Sequence, residues 1–382
     1  MEPTYHEIKK KVILALENKL DKTVVRDECI PKINLEDYAF MQQVSLINRL
    51  IELGFYMDGK RLLDLIDENS EKLNYEKRLF LGLSYMKLGE KKGFYLYKNR
   101  IYCPGCKSCN NQYIENLKIL DSDRFWQGQK TDNKKILILA EQGHGDFIMW
   151  IRYLLFFKNT NIDLIVHSYA KKIVPLCHKV LSYCAGQNSL SVTDVINTDY
   201  DYWTYMGDLT NTFNMTMALP SKAFPYIEAN GEKANVWQDR LKHIEDRIVC
   251  VNLSGADDEK DPRKINLDEI KELFDIPGYK FININKNIPI SHSNVVNFDT
   301  LDSDSPYVDT LALMSISYKI ISSDTSIIHF AGAMNLKSIL ILPLYAEWRW
   351  QTDDISTIWY PSIRIIRKNK VDNLVNAIKD IL

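Results

Sequence analysis

The sequence predicts an α/β protein: two lobes with parallel sheets, preceded by an all-helical segment. Three observations carry this. Up to about residue 120, apolar residues recur at three- and four-residue spacing with almost no strand signal. From Lys134 onward, short β-rich runs alternate with helical patterns, the mark of a parallel sheet with crossover helices. A second series of the same kind begins at Ile248, after a polar linker carrying Pro220, Pro225 and Gly231. The chain of 382 residues therefore divides into 1–120, 121–235 and 236–382.

In the first segment the helical stretches are Phe40 to Leu53, Leu62 to Ile66 and Leu79 to Leu88. Two links, Leu53-Gly54 and Leu88-Gly89, lie about 35 residues apart, close to the tetratricopeptide (TPR) period. The stretch Leu81 to Gly89 resembles the first helix of such a repeat. A TPR-like domain is expected here, with an irregular helical domain as the plainer reading. Stacked helix pairs offer a concave face to a protein partner or to a second copy of the chain.

In the first lobe, Ile136–Ala140 reads as strand, Phe147 to Leu155 as helix, Leu164–Val166 as strand, Ile173–Leu181 as helix and Val192–Ile196 as strand. In the second lobe, strands are expected at 248–253, 280–284, 318–322 and 338–342. Helices are expected near Leu267 to Phe274, at Tyr307 to Met314, from Thr325 and over Val371 to Leu382. Ligands of open α/β sheets bind beyond the carboxyl ends of the strands, so the cleft between the two lobes is the expected site.

Composition excludes some functions. Lys and Arg number 48 against 50 acids, net −2, which leaves no field for nucleic acid. The opening Met1-Glu2-Pro3-Thr4 runs into a charged helical pattern instead of an apolar signal core. Apolar runs such as Ile339–Leu342 are too short for a transmembrane segment. A cytoplasmic protein is expected, and seven cysteines, an odd number, fit a reducing compartment.

Three motifs carry chemistry. The first, Glu141-Gln142-Gly143-His144-Gly145-Asp146, joins a strand to a helix. Its glycines permit a tight turn and close approach to a ligand, while Gln142, Gly143, His144 and Gly145 form an acceptor or phosphate loop. It matches neither the dinucleotide fingerprint nor a P-loop. Asp146 is either a helix cap or a general base for an attacking hydroxyl. The second, Ser323-Asp324-Thr325-Ser326 with His329 one turn on, sets hydroxyls and a carboxylate around exposed helix N–H groups. That suits a diphosphate and sugar hydroxyls, or simply a capped helix with a buried histidine. The third, Ser254-Gly255 followed by Arg263-Lys264, ends a strand in small residues beside a basic pair. The pair either neutralises a diphosphate or forms a solvated loop.

The order of these motifs resembles the heptosyltransferase-like family of GT-B glycosyltransferases, in its bacterial version fused to tetratricopeptide repeats. The matching segments are Trp126-Gln127-Gly128, Lys135 to Tyr153, Asp309-Thr310, Ser323 to Ala333, Glu347-Trp348-Arg349-Trp350 and Trp359-Tyr360-Pro361. The resemblance implies two Rossmann-like lobes and an inverting, metal-independent transfer from a nucleotide-diphosphate sugar, such as a heptose donor, to a protein or glycan hydroxyl. It implies Asp146 as base, Asp324, Thr325, Ser326 and His329 around the donor, and Arg263 or Lys264 on phosphate. The family's Asp-Thr-Gly is Asp324-Thr325-Ser326 here, and Asn283-Ile284-Asn285 stands where a ribose-binding Glu is expected. A helical-repeat binding protein without catalysis, or another nucleotide-sugar enzyme such as an epimerase, are the alternatives.

Two weaker features remain. Cys103, Cys106 and Cys109 have the spacing of thiolate ligands for structural zinc or iron, with Cys29 or another subunit supplying a fourth; free loop thiols are the plainer reading. Trp348 and Trp350 either stack on a base or sugar or fill the core.

Overall fold

The structure, a computed structural model, describes residues 4–103, 120–157, 160–166, 171–182, 184, 186–190, 199–213, 223–255, 261–285, 288–343 and 346–382. The chain separates into two compact units.

The first unit takes in Met1–Lys107, Pro343–Asp354 and Arg367–Asp372. Its longer helices are α1 (Tyr5–Leu16), α2 (Phe40–Glu52), α3 (Tyr56–Asp64), α4 (Tyr75–Lys87) and α5 (Lys91–Tyr97). α1 starts in a capping box, with Thr4 and Glu7 satisfying each other's main-chain N–H groups. α2 and α4 end alike. Gly54 (φ +96°) and Gly89 (φ +76°) take the left-handed conformation after each helix. The N–H groups of Phe55 and Glu90 then reach back to the carbonyls of Leu50 and Tyr85, both at 3.0 Å. This is the Schellman closure, which glycine adopts without a β-carbon penalty. It turns each helix into the next.

The apolar faces of these helices bury Ile8, Val12, Leu46, Leu50, Leu63 and Leu81 in one core. Each such side chain contributes about 1.5–3 kcal/mol by leaving water. The segment expected to continue the second lobe, Glu347–Trp350, packs here instead. Trp348 is buried against Phe94 and Tyr97, with ring centroids 6.2 and 5.8 Å away. Trp350 is buried as well, so both indoles fill core. Nη2 of Arg367 donates to the carbonyls of Trp350, Gln351 and Asp353 at 2.8–2.9 Å and holds this returning stretch. Cys29 also lies in this core, where burial pushes its thiol up.

The second unit takes in Ser108–Leu342, Ile355–Ile366 and Asn373–Leu382 and contains two parallel sheets. The first is built from β1 (Lys135–Leu139), β2 (Asn161–Ile165), β3 (Gly186–Leu190) and β4 (Tyr202–Tyr205), in the order β3-β2-β1-β4. The second is built from β5 (Arg247–Asn252), β6 (Tyr279–Asn283), β7 (Val295–Val296), β8 (Lys319–Ser322), β9 (Ser338–Leu342) and β10 (Ile363–Arg367), in the order β10-β9-β8-β5-β6-β7. Its longer helices are α6 (His144–Trp150), α7 (Gly231–Leu241), α8 (Val308–Ile316), α9 (Ser326–Ala333) and α10 (Leu374–Lys379). β1 after Lys135 and β9 after Ser338 are continuous apolar, buried runs, as expected of strands covered on both faces.

The order of strands reverses twice. From β1 the chain goes outward through β2 and β3, then returns to the other side of β1 at β4. From β5 it goes outward through β6 and β7, then returns beside β5 at β8. The loops leaving β1 and β4, and those leaving β5 and β8, therefore diverge and open crevices at their carboxyl ends.

β4 and the start of α7 lie where the sequence suggested a polar linker. The aromatic alternation Tyr202-Trp203-Thr204-Tyr205 and the Asn230 cap, which accepts from the Lys233 N–H at 3.0 Å, were the signals for them. The strand expected at Val192–Ile196 lies outside the described residues. No described helix is long and apolar enough to cross a membrane.

Candidate functional site

The first motif leaves β1 at its carboxyl end. Glu141 is buried, and its Oε1 accepts the Gly207 N–H at 3.1 Å, tying this loop to the turn after β4. Gln142 then takes φ +64°, a left-handed conformation that costs a non-glycine residue energy and is retained only where surroundings enforce it. Gly143 is the N-cap of α6, and Asp146 is its third residue. Oδ2 of Asp146 accepts the Gly143 N–H at 3.1 Å. Asp146 thus serves the helix as the reciprocal acid of the turn, two places inside the junction where the sequence located it.

The second motif leaves β8 at its carboxyl end. Thr325 is the N-cap of α9. Its Oγ1 accepts the Ile327 N–H at 3.3 Å and donates to Oδ1 of Asn252 at 2.9 Å. The hydroxyl expected to face a diphosphate is therefore spent on the fold. Ser323 is buried, and its Oγ has no hydrogen-bond partner among the described residues. Asp324 is buried, and its carbonyl accepts from Arg263 Nη1 at 3.3 Å. Ser326, half-buried, keeps its hydroxyl at the helix mouth.

The third motif leaves β5. Asn285 holds it: Oδ1 accepts from the Leu253 N–H at 2.6 Å and the Ser254 N–H at 3.2 Å. Ser254 is buried, while Gly255 is exposed and lies against Thr325, where an added β-carbon would sit 3.0 Å from the methyl. The position read as lacking a ribose carboxylate is thus a loop anchor. The basic pair divides. The Arg263 fork is taken by the Asp261 carboxylate at 2.7–3.2 Å, and that hydrogen bonding holds the Asp261 carboxyl below the usual range. The Lys264 ammonium makes no hydrogen bond or ion pair to any described residue, which leaves it as the cation open to a ligand.

The two helix starts meet. A β-carbon built on Gly145 would lie 2.7 Å from Cδ2 and 3.1 Å from Nε2 of His329. Only the bare α-carbon lets the imidazole lie there. Beside it, Nδ1 of His144 is 2.8 Å from Tyr307 Oη, which is 3.1 Å from Ser326 Oγ. Tyr307 is a second left-handed residue, at φ +65°, and burial pushes its phenol up so that it keeps its proton. No sequence motif points to Tyr307. The signal lay in Asp309-Thr310: Oδ1 of Asp302 accepts the N–H groups of both, at 2.8 and 3.0 Å, and fixes the turn that presents Tyr307. Asp309 itself accepts from Trp237 Nε1 at 2.9 Å.

His329 is buried, and its Nδ1 lies 2.8 Å from Tyr360 Oη. Beneath Tyr360 lies Arg152, fully buried. Its guanidinium donates to the carbonyls of Met149 (2.7 Å) and Trp359 (2.6 Å) and to Tyr226 Oη (2.9 Å). The sequence singled out neither Arg152 nor Tyr226.

Of the proposed metal ligands, Cys103 is buried in the helical unit, and Cys106 and Cys109 lie outside the described residues. Among the described residues, no group of three or more His, Cys, Asp or Glu side chains is placed to hold a metal.

No protein-family model matches the chain. No curated protein matches it either. Several solved structures are similar. The ADP-heptose LPS heptosyltransferase II of E. coli shares 11% identity over 63% of this chain and 92% of its own, with a TM-score of 0.42. A glycosyl transferase family 9 protein of Veillonella parvula DSM 2008 shares 10% over 67% and 92%, with a TM-score of 0.45. The iron-containing dodecameric glycosyltransferase TibC of enterotoxigenic E. coli H10407 shares 12% over 57% and 61%, with a TM-score of 0.41. At such identities and scores, function is read from the site itself.

Proposed function

We propose that the chain is a glycosyltransferase of the GT-B kind, moving a sugar from a nucleotide-diphosphate donor to a hydroxyl of a protein or glycan. One observation carries this reading. Loops from the reversal points of two separate parallel sheets converge on one spot, with Gly145 against His329 and His144 joined through Tyr307 to Ser326. Ligands of such sheets bind at reversal points, and a donor–acceptor pair needs two of them. The left-handed Gln142 and Tyr307 fall at the same spot, where strain is retained for function.

In this reading the donor diphosphate lies at the start of α9, where the positive dipole end favours anions. Ser326, Lys264 and His329 supply polar contacts there, and Ser254-Gly255 line the approach. The Asp146 carboxylate takes the proton of the acceptor hydroxyl as its oxygen attacks the anomeric carbon. The carbon–oxygen bond to phosphate breaks, and the nucleoside diphosphate leaves with the electron pair. A single displacement inverts the anomeric centre, and the α9 dipole and Lys264 provide the charge stabilisation that a metal provides elsewhere. The helical unit recruits the acceptor or a second copy of the chain. Cys103, Cys106 and Cys109 hold a structural zinc or iron, a part of the proposal that elemental analysis of the purified chain tests directly.

The Gly143–Asp146 bond favours a second reading, a binding protein in which Asp146 is only a cap. Asp146→Asn separates the two, because the amide oxygen still accepts from Gly143. Transfer from a labelled donor is expected to fall by at least about 10²-fold, the usual share of a general base, with the melting temperature nearly unchanged. Undiminished transfer would remove Asp146 as the base.

A further inference from the structure

We infer that the helical unit carries a binding site of its own, a cleft for one neutral sugar ring in which Glu52 accepts a sugar hydroxyl. The cleft measures about 300 Å³ counted to its mouth. That is the lower end of the ligand-pocket range, about 300–1,000 Å³. All its lining residues belong to the first unit. The inference stands apart from the transferase reading, since no residue assigned to donor or catalysis enters it.

The cleft forms where two helices end. Glu52 is the last residue of α2 and Lys87 the last of α4; Gln351, Arg367 and Lys370 line it from the later segments of the unit. The Glu52 side chain is only 10% exposed. Its Oε1 accepts from Lys87 Nζ, while its Oε2 is buried with no hydrogen-bond partner among the described residues. Burial raises the Glu52 carboxyl above its usual range, against the opposing pull of Lys87, Arg49 and Arg367. A buried acceptor without a donor is costly, and a ligand that brings one recovers the loss.

The cations decide the ligand's charge. Lys87 is paired with Glu52, and Lys370 with Asp354 at 2.6–2.7 Å. Arg367 is paired with Asp354 at 3.2 Å and with three main-chain carbonyls. An anion would therefore compete with carboxylates already in place, and a cation would meet three like charges. A neutral ligand with O–H donors suits the cleft. Tyr56 donates its hydroxyl to the Thr352 carbonyl at 3.0 Å and, with Ile51, supplies an apolar wall. The Asn369 amide adds donors and an acceptor. A sugar has the matching form, with hydroxyls at its edge and C–H groups on its face. Gln351, at φ +43°, is strained in the same wall, and its Nε2 would stand 2.9 Å from a β-carbon on Gly89. Such strain clusters at ligand sites.

Saturation-transfer NMR on the full chain tests this, using D-glucose, D-mannose, D-galactose and N-acetylglucosamine with no nucleotide present. At least one sugar is expected to bind. Glu52→Gln, which keeps the shape and removes the carboxylate, is expected to weaken that binding about tenfold. Inorganic phosphate and methylguanidinium are expected not to displace the sugar. No bound sugar, an unchanged affinity in Glu52→Gln, or displacement by either ion overturns the inference. Should Glu52→Gln fail to fold, Asn369→Ala takes its place, with severalfold weakening expected and unchanged binding overturning. Sugar binding in a chain that transfers nothing would sink only the transferase reading, and transfer without this binding only the present one.

Discussion

Gly145 has no room for a side chain because His329 occupies it: the nearest imidazole atom would stand 2.7 Å from a β-carbon. His329 is buried and bonded at Nδ1, so it has little freedom to yield. Gly145→Ala is therefore expected to destabilise the chain by about 1–3 kcal/mol, the range for overpacking, and to weaken nucleotide-sugar binding at the displaced imidazole. Gly231→Ala is the control. It sits at the first turn of α7 with nothing within 4 Å of an added methyl, and it should be neutral or slightly stabilising. Urea unfolding of both variants checks this. Equal stability of the two would mean that the seam gives way.

Arg263 and Lys264 are adjacent in sequence and opposite in duty. Arg263 is committed to Asp261 and to the Asp324 carbonyl; Lys264 is not committed to any described side chain. Lys264→Ala should weaken nucleoside-diphosphate binding about tenfold with little change in stability, since it removes one charge-assisted contact. Arg263→Ala should act mainly on stability. The carboxyl of Asp261 is depressed by its bonds to Arg263, so its contribution is complete above the ordinary value of about 3.9 and is lost as pH falls through the lower, folded value. Arg263 is 41% exposed, so solvent screening limits the pair to about 0.5–1 kcal/mol. Unfolding measured from pH 6 to about pH 2 should lose that slope in Asp261→Asn. A slope identical to wild type would show that other carboxyls dominate acid unfolding.

The strands were legible where apolar runs were long. β1, β5, β8 and β9 follow the sequence pattern within about two residues, because a covered parallel strand must be apolar throughout. β4 was hidden because its Tyr and Trp residues carry polar groups, and half-buried aromatic strands lack a clean apolar run. The helix starts were legible through Gly and hydroxyl residues, but their duties were not. A Thr at a helix start reads equally as ligand contact and as cap, and only Asn252, 73 positions away, shows that its hydroxyl is taken. Trp348 and Trp350 stayed open for a related reason: tryptophan reads alike on a sugar and in a core, and burial beside Phe94 and Tyr97 shows the core role for Trp348. Tyr307, Tyr360 and Arg152 were beyond reach, since their meaning comes from partners more than about 15 positions off in the chain.

Arg152 gives the sharpest test of how this interior is held. Its guanidinium is fully buried and donates to two carbonyls and a phenol, and among the described residues no carboxylate pairs with it. The aromatic faces of Phe224, Tyr226, Trp359 and Tyr360, at 4.5–5.7 Å, help to replace water around the charge. The planar fork reaches all three oxygens at once, which an ammonium cannot do. Arg152→Lys would keep the cost of burying a cation and lose most of those bonds. Arg152→Met would shed the charge and leave three acceptors without donors, at about 1 kcal/mol each. Lysine, the formally conservative change, is therefore expected to be the more damaging, by about 1 kcal/mol or more in urea unfolding. If lysine matched wild type, the guanidinium geometry would not be what holds Tyr226 in place, and a simple positive charge would suffice.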